Sequence, residues 1–236
     1  MSGALGLSDV IRLRRTPGFV VLEGFHALKH ARRFGAEVLG AWTADAEALE
    51  ELRARLAPDV TLDVATVPHD ELAAVVPRAQ VVAVARRPAQ RAPGDVLADP
   101  APAPVVLLED PRHLGNLGAC VRVAAAAGAA AVLTTGGQEP WHPDALRGSA
   151  GLHFALPVHR LRRPAASDRP LVALDPAGET ADRLPERAVL AFGTERDGLS
   201  DDLLARADAR VALPMRPGVS SLNLATAVAA VLFRYR

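Results

Sequence analysis

The sequence predicts an α/β protein in two parts: a small α/β unit, then a larger one built on a parallel sheet covered on both faces. Three observations predict this. Beyond residue 104, short apolar runs alternate regularly with helical stretches, the pattern of parallel strands joined by crossover helices. Before residue 90, the same kinds of segment make a smaller unit. Between them lies a proline-dense break: Arg87-Pro88, Arg91-Ala92-Pro93-Gly94, then Ala98-Asp99-Pro100-Ala101-Pro102-Ala103-Pro104. Prolines at that density fit neither a helix interior nor a central strand. We therefore expect domains at 1–90 and 104–236, with residues 91–103 as a linker.

The elements follow in order. Phe19 to Leu22 reads as a strand, Gly24 to Phe34 as a helix stopped by Gly35, and Val38 to Trp42 as a second strand. Asp45 to Leu56 is an amphipathic helix with Leu49, Leu52 and Leu56 on one face. Short β segments near Leu62 to Val67 and Gln80 to Ala85 bracket a helix at Asp70 to Val75. In the second part, Val105 to Leu108 is a strand and Gly118 to Ala127 a helix stopped by Gly128. Ala131 to Thr134 is a strand and Pro143 to Gly148 a short helix. Phe154 to Val158, Leu171 to Leu174, Ala188 to Phe192 and Ala209 to Leu213 are further strands, and Ser221 to Tyr235 is a closing helix, apolar nearly all round.

Half of the 236 residues are hydrophobic and 23% are charged, enough for a real core. Acidic and basic residues balance at 27 each, so any polyanion partner must be held by local patches. Lys29 is the sole lysine, a bias that a GC-rich genome explains as well as phosphate recognition does. The single cysteine, Cys120, excludes an internal disulfide and a cysteine metal cluster. No apolar run approaches the roughly 20 residues that span a bilayer, and the first residues lack a signal-peptide core, so a cytoplasmic location is expected.

Three segments carry chemistry. In Glu109-Asp110-Pro111-Arg112-His113-Leu114-Gly115-Asn116-Leu117-Gly118-Ala119-Cys120-Val121-Arg122, Gly115 and Gly118 allow close backbone approach where a strand gives way to a helix. Asn116 can cap that helix, and Arg122 lies at the edge of its core face. The spacing is not G-x-G-x-x-G, which argues against a dinucleotide site. In Ala191-Phe192-Gly193-Thr194-Glu195-Arg196-Asp197-Gly198-Leu199-Ser200, a strand ends in a loop with two glycines around a carboxylate. Ligands of α/β sheets bind at such carboxyl ends, and Ser200 can also cap a following helix. In Val211-Ala212-Leu213-Pro214-Met215 and Val219-Ser220-Ser221-Leu222-Asn223-Leu224, a strand leads to the closing helix, with Ser220 and Ser221 as N-cap candidates.

Together and in this order, the three segments resemble the SpoU (TrmH-like) family of SPOUT methyltransferases over about residues 104–236. The matching pieces are Asn116-Leu117-Gly118-Ala119 with Arg122, Phe192-Gly193-Thr194-Glu195-Arg196-Asp197-Gly198-Leu199, and Leu213-Pro214-Met215 with Ser221-Leu222-Asn223-Leu224. Thr194 departs from the asparagine common there. Val20 to Leu28 also looks like the start of the ribosomal-protein-like substrate domain that often precedes the catalytic one.

The resemblance implies a trefoil-knotted catalytic domain, a homodimer, and methylation of a ribose 2′-hydroxyl in RNA with S-adenosylmethionine. Ribosomal RNA is favoured over transfer RNA by the N-terminal likeness. By resemblance, Leu174, Phe192, Gly193, Thr194, Gly198, Leu213, Met215, Ser221 and Leu222 hold the cofactor. Asn116, Arg122, Glu195, Ser221 and Asn223 occupy the family's polar catalytic positions. A guanidinium is rarely neutral and so makes a poor base; Arg122 is therefore expected to hold ribose or phosphate and stabilise alkoxide charge. Glu195 is expected to organise the loop or to pair with an arginine. Neither a metal nor a membrane is implied.

His26 and His30 are four apart on a predicted helix, but no third ligand stands near them. A better use of that helix is an RNA-facing surface of His26, Lys29, Arg32 and Arg33, with Arg12, Arg14 and Arg15 as a second basic cluster. A solvated surface face is the alternative reading. The functional alternatives are a non-catalytic RNA-binding or ribosome-associated protein on the same fold, a nucleotide-dependent oxidoreductase, and a base methyltransferase.

Overall fold

A computed structural model describes residues 5–164, 166–194, 197–219 and 221–234. The chain divides into two compact units. The first runs to Ala89 and takes in Ala150–Ala155; the second holds Gln90–Ser149 and the rest from Leu156.

The first unit contains α1 (Asp9–Leu13), β1 (Phe19–Glu23), α2 (Phe25–Arg33), β2 (Val38–Thr43), α3 (Ala46–Leu56), β3 (Ala65–Thr66), α4 (His69–Val75) and β4 (Val81–Arg86). Its sheet has the order β1-β4-β2-β3, antiparallel except where β2 meets β3. The apolar run Val81-Val82-Ala83-Val84-Ala85 makes β4 the buried centre. Val10, Leu13, Val21, Trp42, Leu72 and Val84 pack into one core cluster. Asp45 caps α3 by accepting the Ala48 N–H at 2.9 Å. The expected apolar face of α3 is buried only at Leu49; Leu56 at its end is exposed.

Residues 150–155 join this unit through α2. Gly151 has φ +77°, and a Cβ there would stand 2.6 Å from the Ala27 carbonyl oxygen. The strand expected at Phe154 to Val158 is corrected: Leu152–Phe154 is a 3-10 turn, and the strand is Val158–Arg160. Pro157 stands between them, and proline cannot donate to a ladder.

The second unit contains α5 (Pro93–Ala98), β5 (Val105–Leu108), α6 (Leu114–Ala126), β6 (Ala131–Thr134), α7 (Pro143–Gly148), β7 (Val158–Arg160), β8 (Leu171–Glu179), β9 (Val189–Phe192), α8 (Asp201–Arg206), β10 (Ala209–Val211) and α9 (Leu224–Arg234). The strand order is β10-β8-β9-β5-β6-β7, and every neighbouring pair is parallel. From β5 the chain steps outward to β6 and β7. It then returns past β5 to lay down β8, and β9 enters between β8 and β5. β5, β6 and β9 are buried at every residue, as strands covered on both faces must be.

The proline-dense segment is not a free linker. Pro93 takes the first position of α5, where its missing N–H costs nothing. Val96 and Leu97 are buried in the same cluster as Val105, Leu133 and Leu203. The buried Arg169 guanidinium donates to the carbonyls of Val96, Leu97, Asp99 and Ala103, and Arg187 donates to those of Leu97 and Asp99. The carbonyls at the end of α5 thus accept from Arg169, about 70 residues further along the chain, and from Arg187, about 90 residues further along.

Candidate active site

Two helix ends and one loop build the site. α6 begins at Leu114, a turn earlier than expected, so Asn116 lies within its first turn and does not cap it. Gly118 meets a helix, since a Cβ there would lie 2.1 Å from the Ala145 carbonyl oxygen of α7. The closing helix starts at Leu224, later than expected, and its cap is Asn223. The Asn223 Oδ1 accepts from the N–H groups of Ala225 at 3.0 Å and Thr226 at 3.4 Å. The other end of that amide, Nδ2, donates to Asn116 Oδ1 at 3.2 Å. One side chain thus caps α9 and ties it to α6.

The loop after β9 is closed on itself. Thr194 and Gly198 form an antiparallel bridge, with the Thr194 N–H donating to the Gly198 carbonyl at 2.9 Å and the reverse bond at 3.3 Å. Thr194 Oγ1 accepts the Asp197 N–H at 2.9 Å. Gly198 has φ +70°. A Cβ on Gly193 would fall 2.0 Å from the Gly198 carbonyl carbon, so glycine is required there by close approach. Ser200 caps α8 through the Leu203 N–H, as expected.

A cavity of about 530 Å³ opens against this loop at the carboxyl side of the sheet. Leu174, Phe192, Gly193, Thr194, Gly198, Leu213, Met215, Ser221 and Leu222, the residues expected to hold a cofactor, all line it. Leu199, Leu204, Val211 and Leu224 add apolar wall, and Asp175, Asp197 and Asp201 add carboxylates. Asp175, Asp197 and Asp201 were not among the expected site residues. Asp175 follows Leu174 in β8 near the carboxyl ends of the strands, where a ligand-facing carboxylate belongs, and that signal was available in the sequence. Asp201 reads equally well as an ordinary first-turn acid of α8.

The polar positions divide. Asn116 and Asn223 are bonded together, and Ser221 lines the cavity. Arg122 is exposed on α6, does not line the cavity, and its side chain has no hydrogen bond or ion pair with a described residue. Glu195 lies outside the described residues.

The basic residues of the first unit are largely occupied. Arg12 pairs with Asp9 at 2.9 Å and Arg14 with Glu23 at 3.0 Å. Arg33 makes two hydrogen bonds with the Asp59 carboxylate, which it holds below the usual carboxylate pKa range. Arg32 donates to the Thr61 carbonyl, and the Lys29 ammonium sits over the Phe25 ring, which His26 meets edge-on. Arg15 is exposed. His30 does not face a metal partner; its Nδ1 is 2.7 Å from the Ala150 carbonyl oxygen. Among the described residues no helix is long and apolar enough to cross a membrane.

Known proteins resemble this chain in sequence and in fold. Residues 103–233, more than half of the chain, match the sequence model described as the SpoU rRNA Methylase family. A 23S rRNA (adenosine(1067)-2′-O)-methyltransferase of Streptomyces laurentii is 33% identical over 143 residues, 55% of this chain and 53% of the relative. The 23S rRNA (guanosine(2553)-2′-O)-methyltransferase RlmP of Bacillus subtilis is 32% identical over 143 residues, 56% of this chain and 57% of the relative. The chain thus spans about half the length of these curated relatives. Among solved structures, the SpoU methyltransferase AviRb of Streptomyces viridochromogenes, in complex with S-adenosylmethionine, superimposes with a TM-score of 0.77 at 24% identity, over 97% of this chain and 95% of that one. A structure described as an RNA 2′-O ribose methyltransferase gives 0.74 at 27% identity, over 97% and 93%. With the parallel sheet, the glycine-built loop and the matched segments in hand, the chain belongs to the SpoU family of the SPOUT methyltransferases.

Proposed function

We propose that the chain methylates a ribose 2′-hydroxyl of RNA using S-adenosylmethionine, with ribosomal RNA as the substrate. The observation that carries this reading is the convergence of nine matched residues, from four stretches of chain, on one cavity. About 530 Å³ suits a nucleoside-sized ligand. The apolar wall of Phe192, Leu213, Met215 and Leu222 suits a purine ring. The carboxylates of Asp175, Asp197 and Asp201 suit a ligand with a sulfonium and an ammonium. Such a cofactor supplies an electrophilic methyl group. The chain's part is to align a hydroxyl with it and to bear the charge that develops on oxygen.

Arg122 is the group for that charge. Its side chain is exposed and without a described partner, so its guanidinium has donors to give. It stands outside the cavity of its own chain, and a homodimer that sets α6 of one subunit before the cavity of the other brings the two together. Exposed Leu222, Phe233 and Val219 supply apolar surface for that contact. The relatives' activity on 23S rRNA favours ribosomal RNA. The ion-paired arginines of the first unit can still serve the RNA, because exposed pairs contribute only about 0–1 kcal/mol and phosphates can replace the carboxylates.

The test is transfer of tritiated methyl to separate pools of unmodified ribosomal and transfer RNA. We expect label as 2′-O-methyl nucleotide in ribosomal RNA, with Arg122→Ala lowering the rate roughly 100-fold or more. Label on a base would mean a different reaction. Cofactor binding with no transfer to any RNA would favour a binding protein on the same fold.

A further inference from the structure

We infer that Glu109 is a positioning residue that holds the cavity loop in its binding-competent shape without touching the ligand; the inference rests on the cofactor reading above. Glu109 directly follows β5 and does not line the cavity. Its backbone N–H donates to the Phe192 carbonyl at 2.8 Å, at the last residue of β9 where the loop begins. Its carboxylate reaches the other end. Oε2 accepts the Ser200 N–H and Oε1 accepts the Ser200 O–H, each at 2.7 Å. One residue therefore grips both the entrance and the exit of the loop, while the Thr194–Gly198 bridge closes its neck. A third tie comes from the same stretch of chain: Arg112 Nη2 lies 3.7 Å from Asp197 Oδ2.

The chemistry explains why a glutamate stands there. Ser200 Oγ is already the acceptor for the Leu203 N–H at 3.3 Å, so its own proton must go elsewhere. A carboxylate takes that proton and the Ser200 N–H together, on two oxygens, in charge-assisted bonds. Glutamine offers one acceptor oxygen in the same space, and alanine offers none. With the anchor in place, the two ends of the loop are fixed by folding; without it, the ligand must fix them on binding and loses affinity accordingly.

Calorimetric titration of S-adenosylmethionine into the full chain tests this, using Glu109→Ala, Glu109→Gln, Ser200→Ala and the double variant, with Met215→Trp as a cavity-filling control. We expect Glu109→Ala to weaken binding roughly tenfold or more, with Glu109→Gln between it and the unmodified chain. The double variant should be no weaker than Glu109→Ala, because both changes cut the same tie. In methyl transfer the loss should fall on the cofactor KM, with kcat at saturation within about twofold. A merely structural role would lower kcat and melting temperature together and would not be restored by glutamine. Binding by Glu109→Ala within about twofold of the unmodified chain overturns the inference while Met215→Trp still blocks binding. If Glu109→Ala does not fold, unchanged binding by Ser200→Ala and Glu109→Gln overturns it equally. No binding by the unmodified chain, or full binding by Met215→Trp, overturns the cofactor reading and this inference with it.

Discussion

His30 shows how a single side chain can acquire a role that its spacing does not announce. Its place four residues after His26 suggests a metal pair; its Nδ1 in fact meets the Ala150 carbonyl, 120 residues away. Burial holds its pKa below the ordinary 6.5, and the hydrogen bond only partly offsets this. Between that depressed value and 6.5 the unfolded chain binds more protons than the folded one, so stability falls as pH drops through the window. Urea unfolding should show a lower midpoint at pH 5 than at pH 7, with a shallower drop in His30→Gln. An unaltered slope in that variant would exclude His30 as its source. The polar positions near the cavity were more legible, because Asn223 and Ser221 belong to short ordered segments. The ion pairs of Arg14 and Arg33 were not, since Glu23 and Asp59 become partners only once the chain has folded.

At the scale of elements, α6 and α7 depend on two small residues facing each other. A Cβ on Gly118 would collide with Ala145 and Gly148, whereas one on Gly115 would meet nothing within 4 Å. Gly118→Ala should therefore cost about 1–3 kcal/mol in denaturant unfolding. Gly115→Ala should be neutral or slightly stabilising; equal losses in both would refute the packing argument. Apolar strands were the most legible elements: Val105–Leu108 and Ala131–Thr134 were read with their observed ends because both faces are covered. Elements whose limits depend on distant partners were misread. α5 hides in the proline-rich stretch because Arg169 and Arg187 complete its last turn. Phe154, the last residue of the turn at Leu152–Phe154, was taken for the start of a strand because its apolar side chain belongs to a segment that joins the first unit.

For the molecule as a whole, the two-part α/β plan and the parallel sheet were legible from periodicity, and the methyltransferase fold from three ordered segments. The proposed homodimer rests on two features of the single chain. Arg122 and the cavity are separate within one chain, and α9 leaves Phe233 52% exposed beside an otherwise apolar helix. In the proposed homodimer Phe233 is covered. Phe233→Glu should then shift the sedimentation coefficient from dimer to monomer and remove methyl transfer, while each chain still binds S-adenosylmethionine. A monomeric unmodified chain with full activity would refute this.

The excursion of residues 150–155 into the first unit has one more consequence. The two units are not successive lengths of sequence: the chain leaves the second after Ser149, lends six residues to the first, and returns at Leu156. No single cut can free the first unit whole. A fragment ending near Ala89 lacks the segment that Gly151 lays against Ala27. A gene rearrangement that exchanged the N-terminal half for another would have to carry a matching insert deep within the catalytic half. Recombination at the proline-rich stretch, where sequence alone would place the seam, therefore yields mismatched partners.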